Sequence, residues 1–531
     1  MQNHSITLPE FFQNGMIFQR DKEIRIFGQA LPGTEITAAF YEANISGAGT
    51  GSALSGSAMA DKDGQFLLAM PPLPAAENLT LSLSVKGTDE PPVLLSDISF
   101  GDIWLAGGQS NMEFFLKYDQ DFEAVQKLPR NPKIHMYNVP QRAFAGHNTH
   151  NKTGYGYWFC DNDTAVSTFS APAYSFAREI QASTGVPIGI IGCNWGGSTA
   201  SAWVPESVLQ KEPLSIYLKE YEEATRATPA DALKEASLAG WAFEETDQHQ
   251  KDFEPLMYGM DRKDQFVYMK EHAEDPVVPM GPYNMNRPGG LYHHMLSALI
   301  PFSIKGVLWY QGETDAETKA DIYDQLLTAL INDWRSEWKD DFPFLLVQLA
   351  PFGKWLSCNS KNYAIVRQKQ ALVAHTVPDV FLTGIMDLGS YYDIHPKQKM
   401  EVGRRLALLA RGHVYGESLL CDAPEAVSAL LYKDGTIHIT FKNAEGLFLE
   451  NGPSDFLISA DGSAGHAIKP AAVQVSGAEV ILTVDAPEVS GGLSEDLTVS
   501  LADQDYAEIH LQNQAGLTAL PFHLPVERRF L

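Results

Sequence analysis

Short runs of apolar and alternating residues, broken by turn clusters, fill the first 97 residues. Ile24 to Phe27, Ile36 to Phe40, Phe66 to Met70 and Leu79 to Val85 read as half-buried strands. Leu31-Pro32-Gly33, Asp61-Lys62-Asp63-Gly64 and Pro71-Pro72 separate them as turns. Strands at this spacing predict a sandwich-like β-domain over 1–97. The same texture returns over 421–531, where Thr436 to Phe441, Phe456 to Ser459, Val480 to Val484 and Leu497 to Leu501 are strand-like.

Over 98–420 the pattern changes. Asp102 to Ala106, Ile188 to Ile191, Lys305 to Tyr310, Phe344 to Leu349 and Val380 to Ile385 are runs of buried-strand type. Helical patterns lie between them at Pro172 to Thr184, Asp315 to Trp338 and Met400 to Ala410. The first has Pro near its start and Gly185 as a stop. This alternation predicts an α/β domain with a mostly parallel sheet and helices on both faces. Such sheets carry their chemistry in loops at the C-terminal ends of the strands. Residues 206 to about 285 interrupt the alternation. Glu220, Glu222, Glu223, Glu244, Glu245, Glu271 and Glu274 make that stretch acidic, and it reads as a helical insertion.

Composition narrows the partners. With 44% hydrophobic and 20% charged residues, the 531-residue chain is globular. At roughly 150 residues per domain it predicts three or four domains. Asp and Glu total 66 against 39 Lys and Arg, a net charge of −27. Repulsion therefore opposes nucleic acid and anionic membranes. A neutral partner or small ligand fits better, and an anionic ligand needs a local cation. Cys160, Cys193, Cys358 and Cys421 lie far apart without a CxxC pair, so neither a disulfide framework nor a cysteine-built zinc site is expected. Met1 to Ser5 show no basic region followed by an apolar run, and no apolar run of roughly 18 residues occurs, so a cytoplasmic protein is expected.

Four loops after strands hold the candidate chemistry. Gly107-Gly108-Gln109-Ser110-Asn111-Met112-Glu113 presents Ser110 at a strand tip, as a nucleophile or as a helix cap. Gly192 to Thr199 is glycine-rich and can offer backbone N–H groups to an anion, or simply turn. Trp309-Tyr310-Gln311-Gly312-Glu313 places the Gln311 amide where it can donate to an oxyanion. Glu313 there is a base, an orienting partner or the acidic first turn of a helix. Asp393-Ile394-His395-Pro396 holds a candidate general base on a loop that Pro396 stiffens, and Asp387 is a further carboxylate nearby. Together these supply a nucleophile, oxyanion donors and a base, the parts acyl transfer needs.

At these residues the chain resembles the SGNH hydrolases, and specifically the sialate O-acetylesterase family. Gly-Gln-Ser-Asn-Met at 108–112, Gly196-Gly197-Ser198 leading to Ala202-Trp203, Trp309 to Glu313, and Asp393 to Pro396 carry the resemblance, with Gly15 to Lys22 upstream. It implies a three-layer SGNH-type α/β core with N- and C-terminal β-rich accessory domains. It implies Ser110 as nucleophile, His395 as base, and Ser110 N–H, Gly197 N–H and the Gln311 amide as the oxyanion hole. Asp393, Glu313 or a backbone carbonyl orients His395. Gln109, Asn111, Arg287, Tyr292 and Trp203 are the candidate substrate contacts, with Arg142 a second candidate cation. Relatives tend to read Leu-Tyr-Asn-Gly where this chain has Leu291-Tyr292-His293-His294. The expected activity is hydrolysis of O-acetyl groups on sugars, sialic acids above all, without metal or organic cofactor. The alternatives are an acetylxylan or other plant-glycan esterase, and a carbohydrate-binding protein without catalysis.

Overall fold

A computed structural model describes residues 5–42, 54–147, 152–356, 358–450, 454–459, 467–484 and 497–528. Residues 1–4, which the expectation of a cytoplasmic protein partly uses, lie outside these. The chain divides into two compact units. One holds Met1–Gly259, His272–Trp309 and Ala329–Phe344; the other holds Met260–Glu271, Tyr310–Thr328 and Leu345–Leu531.

The first unit is built on a long strand, β1 (Val93–Gly108), which is buried from Ile98 onwards. The strand is continuous past position 97, where the sequence places a domain boundary. Its first half pairs antiparallel with Ala76–Val85 and belongs to the N-terminal β-structure. Its second half pairs in parallel with β3 (Ile188–Asn194), which pairs in parallel with β2 (Ile134–Asn138). On its other side lies β4 (Gly306–Tyr310). Every residue of β2, β3 and β4 is buried, as expected of strands covered on both faces. The strands at Ile24–Gln29, Glu35–Glu42 and Gln65–Met70 alternate buried and exposed residues, as their sequence pattern predicts.

Helix α2 (Ala171–Thr184) starts at Ser170, whose side chain accepts the Ala173 N–H, and ends at Gly185 in the left-handed conformation. Within residues 206–285, helices form at Ser215–Arg226, Ala230–Glu244, Asp247–Tyr258 and Arg262–Glu271.

In the second unit β5 (Phe344–Val347) pairs with β6 (Val380–Thr383), and α4 (Tyr363–Thr376) connects them. The helical stretch expected from Asp315 is broken. A short turn at Glu313–Ala316 precedes α3 (Tyr323–Trp338), whose residues from Ala329 on belong to the first unit. Helix α5 (Lys399–Leu409) continues as a π-turn over Ala410–Val414. The C-terminal segment forms a seven-stranded sheet around Ile437, Ile439, Ile458, Val480, Leu482 and Val499, all fully buried. Among the described residues, no helix is long and apolar enough to cross a membrane.

Candidate functional site

In the first unit, β1 and β3 run in register, with Cys193 opposite Gly107 and Asn194 opposite Gly108. Their tips therefore release two loops side by side. The first turns at Gln109 into the short helix α1 (Ser110–Glu113). The Gln109 carbonyl accepts the N–H groups of Met112 and Glu113 at 2.8 and 3.0 Å. Gln109, Ser110 and Asn111 are all buried.

The second loop is tied to the first. Trp195 N–H donates to the Gly108 carbonyl at 3.2 Å. A Cβ on Gly196 would lie 3.3 Å from both Ser110 Cβ and Glu113 Oε2, so a side chain there would crowd the serine. Gly197 follows with φ of 73°, the left-handed region that favours glycine. Asn286 holds it from outside: its Nδ2 donates to the Gly197 carbonyl at 3.0 Å, and its Oδ1 accepts Thr199 N–H at 2.9 Å.

Behind both loops sits Glu113. Its Oε2 accepts Gly196 N–H at 2.7 Å. Its Oε1 accepts Gln141 Nε2 at 2.9 Å and the Tyr155 hydroxyl at 3.2 Å. Burial and this carboxylate push the Tyr155 hydroxyl well above its ordinary pKa, so it stays a donor. Gln141 is itself held by Lys152, whose Nζ donates to Gln141 Oε1 at 2.9 Å. Burial lowers the Lys152 pKa against the pull of Glu113, Glu254, Glu244 and Glu245. Sequence reasoning quoted Glu113 with its motif but gave it no role. Gln141, Tyr155 and Lys152 carried no local signal.

In the second unit, Gln311 follows Tyr310 at the tip of β4 and is fully buried. Its Nε2 donates to Asp315 Oδ2 at 2.6 Å, and its Oε1 accepts the Tyr323 hydroxyl at 2.8 Å. These two partners fix which end of the amide is nitrogen. An amide nitrogen carries two hydrogens, and Asp315 takes one. The Gln311 carbonyl accepts from Tyr323 and from Gln370 Nε2, at 3.0 and 3.1 Å. Glu313 is buried in the first turn of its short helix.

His395 is also buried, with its ring edge-on to Trp355 at 5.4 Å between centroids. Asp393 Oδ1 accepts the main-chain N–H of His395 at 2.8 Å, and its Oδ2 pairs with Lys397 at 3.1 Å. These contacts of Asp393 brace the backbone on which the imidazole sits. Asp387 lies in an ion-pair network. It takes two hydrogen bonds from the buried Arg405 guanidinium, at 2.8 and 2.6 Å, while Arg405 Nε donates to Glu401 at 2.7 Å.

Of the expected substrate contacts, Trp203 and Tyr292 are buried and Arg287 is partly buried. Trp203 is fully buried; its Nε1 donates to Ser198 Oγ at 3.0 Å and its carbonyl accepts from Trp334. Arg287 lies 3.0 Å from His294 Nε2 and 3.7 Å from Glu206. Tyr292 is buried, and burial with Glu337 and Asp333 nearby pushes its hydroxyl up to about 12. Arg142, the other candidate cation, pairs with Glu10 at 2.7 Å. An aromatic group flanks the glycine loop instead. His147 stacks on Phe144 and lies 4.5 Å from Trp241, which lies 5.7 Å from Trp195.

A family model described as "Carbohydrate esterase, sialic acid-specific acetylesterase" matches residues 100–252 and 282–410, just over half of the chain. The chain belongs to this family. The matched residues of the acetylesterase family include Ser110, Gly197, Gln311, Glu313, Asp393 and His395, and the gap at 253–281 falls inside the helical insertion. Sialate O-acetylesterase of Rattus norvegicus is 25% identical over 389 residues, covering 65% of this chain and 62% of that protein. The Homo sapiens enzyme of the same name is 25% identical over 380 residues, covering 65% and 60%. The matches thus span about six-tenths of the length of these relatives. A crystal structure of a carbohydrate acetylesterase from Xanthomonas citri is similar over 98% of this chain and 99% of its own, with TM-score 0.70 and 27% identity.

Proposed function

We propose that this chain hydrolyses O-acetyl esters on carbohydrates, sialic acids above all, through an acetyl-Ser110 intermediate. The observation that carries the reading is the pairing of Ser110 with the Gly196-Gly197 loop at the tips of two parallel strands, within a family-matched segment. The core over 98–420 is read as an SGNH-type hydrolase of three layers, with β-rich accessory domains at 1–97 and 421–531.

In this mechanism Ser110 Oγ attacks the acetyl carbonyl while His395 accepts its proton. The negative charge that develops on the carbonyl oxygen is met by Ser110 N–H, Gly197 N–H and the Gln311 amide. The intermediate collapses, and the sugar hydroxyl leaves with the proton that His395 held. Water then attacks the acetyl-enzyme, gives its proton to His395, and acetate departs as Ser110 is reprotonated. Asp393 holds the His395 loop, and Asp315 with Tyr323 holds the Gln311 amide. None of these steps calls on a metal or cofactor. The similarity to the Xanthomonas enzyme, named for carbohydrates in general, favours a second substrate reading: acetylated glycans other than sialic acid.

Acetate release from O-acetylated sialic acids and from acetylated xylan tests both readings. Ser110→Ala is expected to lose several orders of magnitude in kcat, and a serine-directed organophosphate to label Ser110 alone. Retention of more than about a tenth of the activity removes Ser110 from the mechanism.

A further inference from the structure

We infer a divalent transition-metal site, suited to Zn2+, built from His413 Nε2, Cys421 Sγ and an Asp422 carboxylate oxygen. The three ligand atoms lie within 4.8 Å of one another at one place in the second unit. His413 Nε2 is 2.8 Å from Asp422 Oδ1 and 3.5 Å from Cys421 Sγ, and Sγ is 3.7 Å from Asp422 Oδ2.

These separations can be compared with a zinc tetrahedron. Bonds of about 2.3 Å to sulfur and about 2.0–2.1 Å to nitrogen or oxygen give a sulfur-to-nitrogen edge of about 3.5 Å and a nitrogen-to-oxygen edge of about 3.3 Å. The sulfur-to-nitrogen edge already has the needed length, while Sγ faces Oδ2 and His413 faces Oδ1, so a rotation of the Asp422 carboxylate brings one oxygen to both partners. The His413–Asp422 edge opens by about 0.5 Å when a hydrogen bond gives way to two metal bonds. One imidazole, one thiolate and one carboxylate are ligand types that zinc accepts, and their two negative charges balance the ion. Binding sends the thiol proton, and any proton shared between His413 and Asp422, to solvent.

The surroundings hold the ligands in place. His413 sits in the π-turn Ala410–Val414, a distortion frequent at functional sites, and its ring stacks on Phe381 at 4.0 Å and 10°. A methyl group on Gly412 would overlap Cys421 Sγ, so only glycine allows the π-turn to approach the thiol. Asn513 Nδ2 donates to the Asp422 carbonyl at 3.1 Å and anchors the ligand pair. Cys421 is buried while the side chains of His413 and Asp422 are partly exposed, which leaves a solvent-facing fourth position. The site ties the end of α5 to the start of the C-terminal β-structure, with three protein ligands and the fourth position left to water. The ligands are not in a CxxC pair, so the cysteine spacing gives no signal of the site.

The test uses the full chain, stripped with a chelator and kept reduced without added thiols. Titration with Co2+ is expected to produce a thiolate-to-cobalt charge-transfer band saturating at one ion per chain, which Zn2+ then removes. Cys421→Ser and His413→Ala are each expected to abolish the band and weaken Zn2+ binding by more than about 100-fold, beyond the effect of losing an outer partner. Cys358→Ser is expected to keep it. Absence of the band in the parent, its survival in Cys421→Ser, or equal Zn2+ affinity in all variants overturns the site. If Cys421→Ser does not fold by circular dichroism, His413→Ala decides, since that side chain is partly exposed and its loss opens no sealed core.

Discussion

Replacing Glu113 tests whether the Gly196-Gly197 loop is held from behind. Its carboxylate gathers three donors: Gly196 N–H at 2.7 Å, Gln141 Nε2 at 2.9 Å and the Tyr155 hydroxyl at 3.2 Å. Glu113→Gln keeps the shape and removes one acceptor. If the remaining oxygen stays on Gly196, the new NH2 group faces two donors. Turning Gln141 over to accept from it would cost the Lys152 bond to Gln141 Oε1. Hydrogen bonds to a charged group contribute about 1.5–3 kcal/mol each, and a buried donor left without an acceptor costs about 1–3 kcal/mol. Partial rearrangement makes a loss of about 2–4 kcal/mol the expected outcome. For a unit of about 310 residues that lowers Tm by about 3–6 °C in calorimetry. The Gly196-Gly197 loop would then hold the Gly197 N–H less firmly, so kcat for acetate release is expected to fall about 10- to 100-fold with KM within about threefold. Glu113 acts as a positioning residue, and the split between kcat and KM separates that role from substrate binding. A Glu113→Gln enzyme with kcat within twofold and Tm within about 1 °C of the parent would refute the argument.

Gln311→Ala is expected to lower kcat by roughly 100- to 1000-fold with little change in KM; a raised KM at constant kcat would assign Gln311 to substrate binding instead. Asp393→Asn and Glu313→Gln, compared for kcat across pH, separate the candidates for orienting His395: a loss of roughly 1000-fold in one alone names the acid, and both within tenfold leaves Ser110 and His395 as a dyad. Glu244 is pushed up to about 7, first by burial and then by Glu245, against the pull of Lys152. Its folded-state value exceeds the ordinary 4.5, so its favourable contribution is complete below 4.5 and lost as pH rises through 7. Glu244→Gln is therefore expected to raise Tm relative to the parent at pH 8 and not at pH 4.5, and equal shifts at both would exclude the linkage.

The candidate site could be proposed from sequence because its signals are local. Glycines, a strand tip and a following polar residue are neighbours in the chain, so Ser110, Gly197, Gln311 and His395 could be picked out by motif. The roles given to Arg287, Tyr292 and Trp203 rest on residue type alone. Their residue types suit a sugar, but burial and partners decide what they do. Trp203 Nε1 is used on Ser198, and Arg287 lies against His294 and Glu206.

By itself the sequence determined the elements whose instructions lie within a few residues. Ser170, Pro172 and Gly185 delimit α2 by capping, a preset φ and a left-handed stop, none of which needs a distant partner. The two-residue period likewise specified the faces of the strands at Ile24–Gln29 and Gln65–Met70. Only the tertiary structure decided which distant groups share a charge or a cavity wall. Gly196 lies 83 residues beyond Glu113, and Tyr155 lies 42 beyond it. Cys421 meets His413 through a π-turn that no local preference announces. A buried carboxylate or thiol is satisfied by whatever donors folding brings within about 3 Å, and side-chain hydrogen bonding carries no sequence period that could reveal such partners in advance.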